Sequence, residues 1–276
     1  MTATLRSERA GAVMPLSQGQ SIAEHDIGPF RVVESVHGGG LSLLRHCHEW
    51  PTVTIVLDGE FAEILPDGPR WCQALTVLAK PAGVPHSNWY GQRGARCLIA
   101  EMRDTSLEDG DRRRSSVPTR VLFSAHGDLS VLGRRIARAC GEHDDAARMT
   151  AEALLREIAF GRGDPGPLSR TSLQRALDYL HAEFRRPLRL RDVAGVSGVH
   201  PTYLARGFRL HFGRTPGDLL RELRVHWAGH LLVETDLRLS EIALESGFAD
   251  QSHLTRVFRG RMRCTPARYR QMRKSA

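Results

Sequence analysis

An internal repeat constrains this chain more than any other feature. Leu190-Arg-Asp-Val-Ala194, followed by Ser197-Gly198, returns as Leu239-Ser-Glu-Ile-Ala243, followed by Ser246-Gly247, at an offset of 49. Past the turn the offset becomes 50. Leu204, Arg206, Phe208, Arg209 and Thr215-Pro216 return as Leu254, Arg256, Phe258, Arg259 and Thr265-Pro266. One unit has been duplicated, with a residue inserted at the second turn. Each copy reads as a short helix, a tight turn and a longer helix, which is a helix-turn-helix. Ala194 and Ala243 are small where two crossing helices meet, and Gly198 and Gly247 stand where the turn calls for a positive φ. On the longer helices, Leu204, Phe208 and Phe212 form an inward stripe that Leu254, Phe258 and Met262 repeat.

Charge says what the outward faces meet. The net charge is +8, and it is not spread evenly. Residues 168–276 hold 20 Lys+Arg against 10 Asp+Glu, whereas residues 1–167 hold 19 against 21. A basic back half behind a slightly acidic front half points to nucleic acid bound at the C-terminal end. The outward face of the first copy offers Thr202, Ala205, Arg206 and Arg209; that of the second offers Gln251, Ser252, Thr255, Arg256 and Arg259. Arg and Gln make paired hydrogen bonds to guanine and adenine edges, and Ala and the Thr methyl suit the thymine methyl.

The connector is built to hold two such units apart. Thr215-Pro216-Gly217-Asp218 supplies an N-cap hydroxyl, a Pro at N1 and an acid at N3. Leu220, Leu223, Trp227 and Leu231 are the expected buried stripe of a helix running to Glu234. Its 19 residues span roughly 28 Å, close to the ~34 Å between successive major-groove faces.

The segment Leu231–Phe258, with Thr265-Pro-Ala-Arg-Tyr-Arg270, resembles the signature of the AraC/XylS family of bacterial transcription regulators. The resemblance covers about residues 173–273. It implies a seven-helix domain with two helix-turn-helix motifs that binds double-stranded promoter DNA and usually activates transcription, with RNA polymerase as a partner. The family's reading positions fall on Thr202, Ala205 and Arg206, and on Gln251, Ser252, Thr255 and Arg256. Two departures stand out. Gly207 lies inside a recognition helix, and Arg263 stands where the family has a Gly, the counterpart of Gly213. A left-handed C′ position disfavours Arg, so a different helix end is expected there.

The front of the chain reads as β. Arg31–Val36, Leu41–Arg45, Thr52–Leu57, Phe61–Leu65, Thr76–Leu78 and Arg96–Met102 are short β-branched and aliphatic runs between turn signals, among them Gly38–Gly40, Asp58-Gly59, Pro66–Pro69 and Gly91. That spacing suggests a small barrel or sandwich. Residues 104–118 read as a charged loop, and Leu129–Cys140 and Thr150–Phe160 as helices. Gly40-x5-His46-x-His48 with Gly59, and Pro81-x-Gly83-x2-His86, resemble the two motifs of the cupin barrel. The acid that a cupin metal site adds near Thr52 is missing. Three readings are open for His46, His48 and His86: interior lining, binding of a small effector in an apolar pocket, or a three-His divalent metal site. No cofactor follows from them otherwise.

The expected organisation is two-domain. An all-β cupin-like effector-sensing barrel over 20–105 is followed by a helical segment, 119–160, that admits a homodimer. A linker over 161–168 leads to the all-α DNA-binding domain, 169–276. The rival function is a metal-dependent cupin enzyme of the three-His dioxygenase type, carrying a DNA-binding tail. Five scattered cysteines with no CxxC pair argue against a disulfide framework and suit the cytoplasm. Cys72 and Cys97 read as small hydrophobes rather than redox sensors. No apolar run approaches the ~20 residues that cross a bilayer.

Overall fold

The computed structural model describes residues 12–13, 15–103, 121–125, 128–142, 144–160 and 169–274. The expected loop over 104–118, with Arg112–Arg114, and the expected linker over 161–168 lie outside them. Two compact units emerge. One holds the described residues up to Gly141 together with 154–160, and the other holds those of Glu142–Ala153 together with 169–274.

The first unit is a nine-stranded sheet among the described residues. Its strands are β1 Ala12–Val13, β2 Gln20–Ile27, β3 Phe30–His37, β4 Ser42–Cys47, β5 Thr52–Leu65, β6 Gly68–Gln73, β7 Val77–Lys80, β8 His86–Met102 and β9 Leu122–Ser124. Two long antiparallel strands form its spine: β5 and β8 pair from Thr52↔Glu101 to Ile64↔Ser87. The far edge of β8 pairs with β3 over one half and with β4 over the other. Hydrogen-bonded neighbours run β1-β4-β8-β5-β7-β9, with β2 on β3 and β6 on β5. The sheet is not closed, so the barrel expected from the motifs is not what the pairing draws.

Several expected turns are not turns. Asp58-Gly59 sits inside β5, where Gly59 takes φ +75 between two register shifts. Such an irregularity bends a strand without ending it. Gly91 likewise lies within β8. Pro66-Asp67 does turn the chain, as the two-residue loop of the β5–β6 hairpin. The helix α1, Asp128–Cys140, packs against the sheet, with Gly133 seated on Val77 and Ile55.

The second unit is helical. After α2, Asp145–Phe160, come α3 Arg170–Glu183, α4 Leu190–Ser197, α5 Pro201–Phe212, α6 Pro216–Glu234, α7 Leu239–Glu245, α8 Gln251–Met262 and α9 Pro266–Lys274. Two cores share the α6 helix. Leu219 and Leu220, near its start, join the first core with Leu190, Val193, Leu204 and Phe208. Val225, Ala228 and Leu232, further along, join the second with Ile242, Leu254 and Phe258. The expected stripe on α6 is therefore displaced: Leu220 is fully buried, while Leu223, Trp227 and Leu231 are only half-buried. A helix serving two cores turns different faces inward along its length.

The front end of α2 also belongs to this unit. Ala146, Met149 and Ala153 lie in the first core. Arg224, 2% exposed, reaches Asp145 with both terminal nitrogens and donates to the carbonyls of Phe184 and Arg186. Residues 145–153, grouped by sequence with the helices before the linker, thus pack with the helix-turn-helix unit. Among the described residues no helix is long and apolar enough to cross a membrane.

Candidate nucleic-acid interface and histidine pocket

Both copies of the repeat form the same turn. Gly198 and Gly247 are left-handed, at φ +68 and +77. In each copy the residue after the glycine donates back to the repeated alanine, Val199 N to Ala194 O at 3.1 Å and Phe248 N to Ala243 O at 2.9 Å. This six-to-one bond is the Schellman closure of a helix end. The connector starts as its sequence dictates: Thr215 Oγ1 accepts from Asp218 N at 3.1 Å, and Asp218 Oδ2 accepts from Thr215 N at 2.9 Å.

The two recognition helices differ in what they expose. On α8, Gln251, Ser252, Arg256 and Arg259 are exposed and Thr255 is half-buried, its hydroxyl donating to Gln251 O at 2.8 Å. On α5, Thr202 is 5% and Ala205 1% exposed, and Ala205 belongs to the first core. That corrects the sequence expectation for these two. A small residue fits a core as readily as a groove, and here the core took it. Arg206 and Arg209 are half-buried, and Arg206 Nε is enclosed without a hydrogen-bond partner.

Three contributors escaped the sequence reading. His253 on α8 meets Asp144, Nε2 to Oδ2 at 2.9 Å, and Asp144 also accepts from Ala147 N at 2.7 Å. Burial raises the Asp144 pKa, but the His253 bond, the Arg221 charge and the Ala147 N–H outweigh it and hold the carboxyl at about 2. Gly260 and Arg263 line the same concave surface as Gln251, Arg256 and Arg259. Arg263 does not alter the helix end. It adopts the left-handed cap itself, φ +59 and ψ 11, beside +64 and 8 for Gly213.

In the sheet unit, the structure brings His46, His48 and His86 together. Their ligand nitrogens all lie within 4.8 Å of one another. His46 Nδ1 donates to Leu44 O at 2.8 Å and His86 Nδ1 to Val84 O at 2.9 Å. A carbonyl can only accept, so both imidazoles carry a proton on Nδ1. Sequence reasoning missed what surrounds them. Lys80 Nζ donates to His86 Nε2 at 2.9 Å and pairs with Glu63, which also accepts from Asn88 Nδ2 at 3.1 Å. Glu63 stands eleven residues along β5 from Thr52 and brings to the pocket the carboxylate that the motif lacks. Burial and the Lys80 charge hold the His86 pKa at about 3, so its ring is neutral.

This arrangement does not fit a divalent cation. The His86 lone pair already accepts from an ammonium, and a metal there would face that positive charge. Leu16, Leu43, Phe61 and Ile99 line the pocket beside these polar groups, and its free volume of about 30 Å³ admits a water or two. Cys72 and Cys97 are buried, which raises both thiols and takes Cys97 to about 12, so neither is a ready thiolate.

Two helix-turn-helix motifs on one connecting helix, with unpaired arginines on an open recognition face, define a nucleic-acid-binding domain. A family profile described as a helix-turn-helix domain matches residues 193–272. PqrA of Proteus vulgaris, named as a probable transcription factor, is 32% identical over 97 residues, 34% of this chain and 80% of its own. The HTH-type transcriptional regulator ExsA of Pseudomonas aeruginosa is 30% identical over 131 residues, 45% of this chain and 47% of its own. A solved AraC-type transcriptional regulator from Chromobacterium violaceum is 30% identical and covers 37% of this chain and 91% of its own, with a TM-score of 0.36. The chain belongs to the AraC/XylS family of transcription regulators. It spans about half the length of ExsA and most of PqrA.

Proposed function

We propose that this chain is a sequence-specific, DNA-binding transcription regulator that answers to a small effector. The observation that carries the reading is the outer face of α8. Arg256 and Arg259 are exposed there with Gln251 and Ser252, and their guanidinium groups have no protein partner among the described residues. Unneutralised arginines on a helix presented by a helix-turn-helix suit base edges and phosphates in a major groove. The partners are double-stranded promoter DNA and RNA polymerase, in the cytoplasm, and residues 119–160 admit a homodimer.

The sheet unit is the sensor, with a cupin-like ancestry carried by its two histidine motifs. His46, His48 and His86, with Lys80, Glu63 and Asn88, offer donors and acceptors to a ligand of few atoms; a larger one must part the strands first. The regulator reading is favoured over a three-His enzyme because PqrA and ExsA carry transcription-factor names and because Lys80 occupies the His86 lone pair.

Genome-wide footprinting of the chain and its His48→Ala variant, with and without candidate effectors, tests both parts. Discrete sites are expected for both proteins, with an effector-dependent shift in occupancy for the unmodified chain alone. Binding spread evenly over the genome would overturn the regulator reading. A His48→Ala protein with a normal effector response would remove the histidine pocket from sensing.

A further inference from the structure

The C-terminal end of α8 carries two residues that the fold itself disfavours. Arg263 holds a left-handed backbone, φ +59, which strains any residue with a Cβ, and its counterpart in the first copy is Gly213. One turn earlier stands Gly260, in a helix interior where glycine is a poor helix former, and its counterpart is Leu210. Packing does not ask for that glycine, since nothing lies within 4 Å of where its Cβ would stand. The first copy, with Leu and Gly at these places, forms the same helix and the same cap. Neither departure therefore serves the fold.

Both residues face the same place. Gly260 and Arg263 line the concave surface that also holds Arg256 and Arg259. The Arg263 side chain is exposed and makes no hydrogen bond or ion pair among the described residues, whereas its neighbour Arg261 is neutralised by Glu222. Strain kept at an exposed cation, beside a notch left open by a missing Cβ, indicates a partner outside the chain.

We propose that Arg263 binds a backbone phosphate of DNA at the end of the second recognition helix, with Gly260 leaving room for the sugar-phosphate chain to approach. This rests on α8 being the DNA-facing helix. A phosphate contact positions the helix in its groove without reading sequence. It is made by this copy alone, because Gly213 offers no side chain.

The test uses the full chain, a duplex enriched by it from a random library, and a scrambled duplex of equal length. Arg263→Gly relieves the strain, so its melting temperature should rise by about 2–4 °C. Affinity should nevertheless fall roughly three- to tenfold on both duplexes, and the slope of log K against log salt should flatten by about 0.9. Gly260→Ala should also raise the melting temperature while weakening both duplexes. Unchanged affinity in either variant overturns the proposal. A loss confined to the enriched duplex also overturns it, since Arg263 would then read a base. Arg256→Ala separates the layers: it should weaken the enriched duplex selectively, and if it leaves that binding untouched the underlying assignment of α8 falls with it.

Discussion

The two copies of the helix-turn-helix share a turn and differ in their company. In both, a left-handed glycine closes the first helix with the same back-donated hydrogen bond. Around the first copy, the start of α2 adds Ala146, Met149 and Ala153 to the core, and that core also holds Ala205 of the recognition helix. The second copy's core has no such addition, and α8 keeps Gln251, Ser252, Arg256 and Arg259 open. Duplication preserved the chemistry that makes the motif and left its surroundings free to diverge. Two copies of one motif need not make equal contributions to one site.

Breaking the joint between α2 and the first copy should have the largest effect. Arg224→Met leaves two carbonyls without their donor and Asp145 with only the Leu188 N–H, and breaking this partly buried ion pair costs about 3 kcal/mol. Urea unfolding of the full chain measures it. A loss near zero would mean that residues 145–153 only rest on the motif. Base reading comes next. Arg256→Ala should weaken binding to a selected duplex by ~1–3 kcal/mol and relax one base pair, with Arg206→Ala costing less than about half of that. Competition binding against single-base variants decides it, and equal losses would erase the asymmetry between the copies.

The Asp144–His253 contact, where the α2 segment meets the second copy, gives a pH signature. The folded-state pKa of Asp144 is about 2, below its ordinary 3.8. The stability it contributes is therefore complete above about pH 4 and lost as pH falls through 2. The loss is about 2 kcal/mol by linkage. Acid unfolding of Asp144→Asn should lack that portion of the transition, and an unchanged acid limb would dismiss the contact. The smallest effect concerns the two helix ends. Gly213→Ala should destabilise by about 1 kcal/mol, because a Cβ is strained at φ +64. A neutral Gly213→Ala would show that the left-handed cap carries no strain, and the contrast with Arg263 would disappear.

Much of this was legible along the chain. The repeat announced itself because identical turns need identical residues: Gly198 and Gly247 for a positive φ, Ala194 and Ala243 for close crossing. The start of α6 was legible for a similar reason, since Thr215 and Asp218 cap only their own neighbours. The two histidine motifs did bring His46, His48 and His86 together, although β4 ends at Cys47 and His48 lies just past it. Glu63 and Lys80 stood outside any such pattern. They lie 17 residues apart, and only the pairing of β5 with β7 and β8 carries them to His86.

What the sequence by itself determined is everything that depends on near neighbours: the helix-turn-helix units, their caps and turns, the length of the connector and the basic charge of the half that holds them. Tertiary structure decided which faces stayed open. Ala205 and Thr202 are small enough for a core or a groove; packing with α4, α6 and the start of α2 made Ala205 core, and Thr202 is buried as well. The sheet's open edges, the pocket around the histidines and the placing of residues 145–153 with the DNA-binding unit were decided in the same way. Burial is a property of what a residue is packed against, and residues brought together across tens of positions leave no periodic trace in the chain.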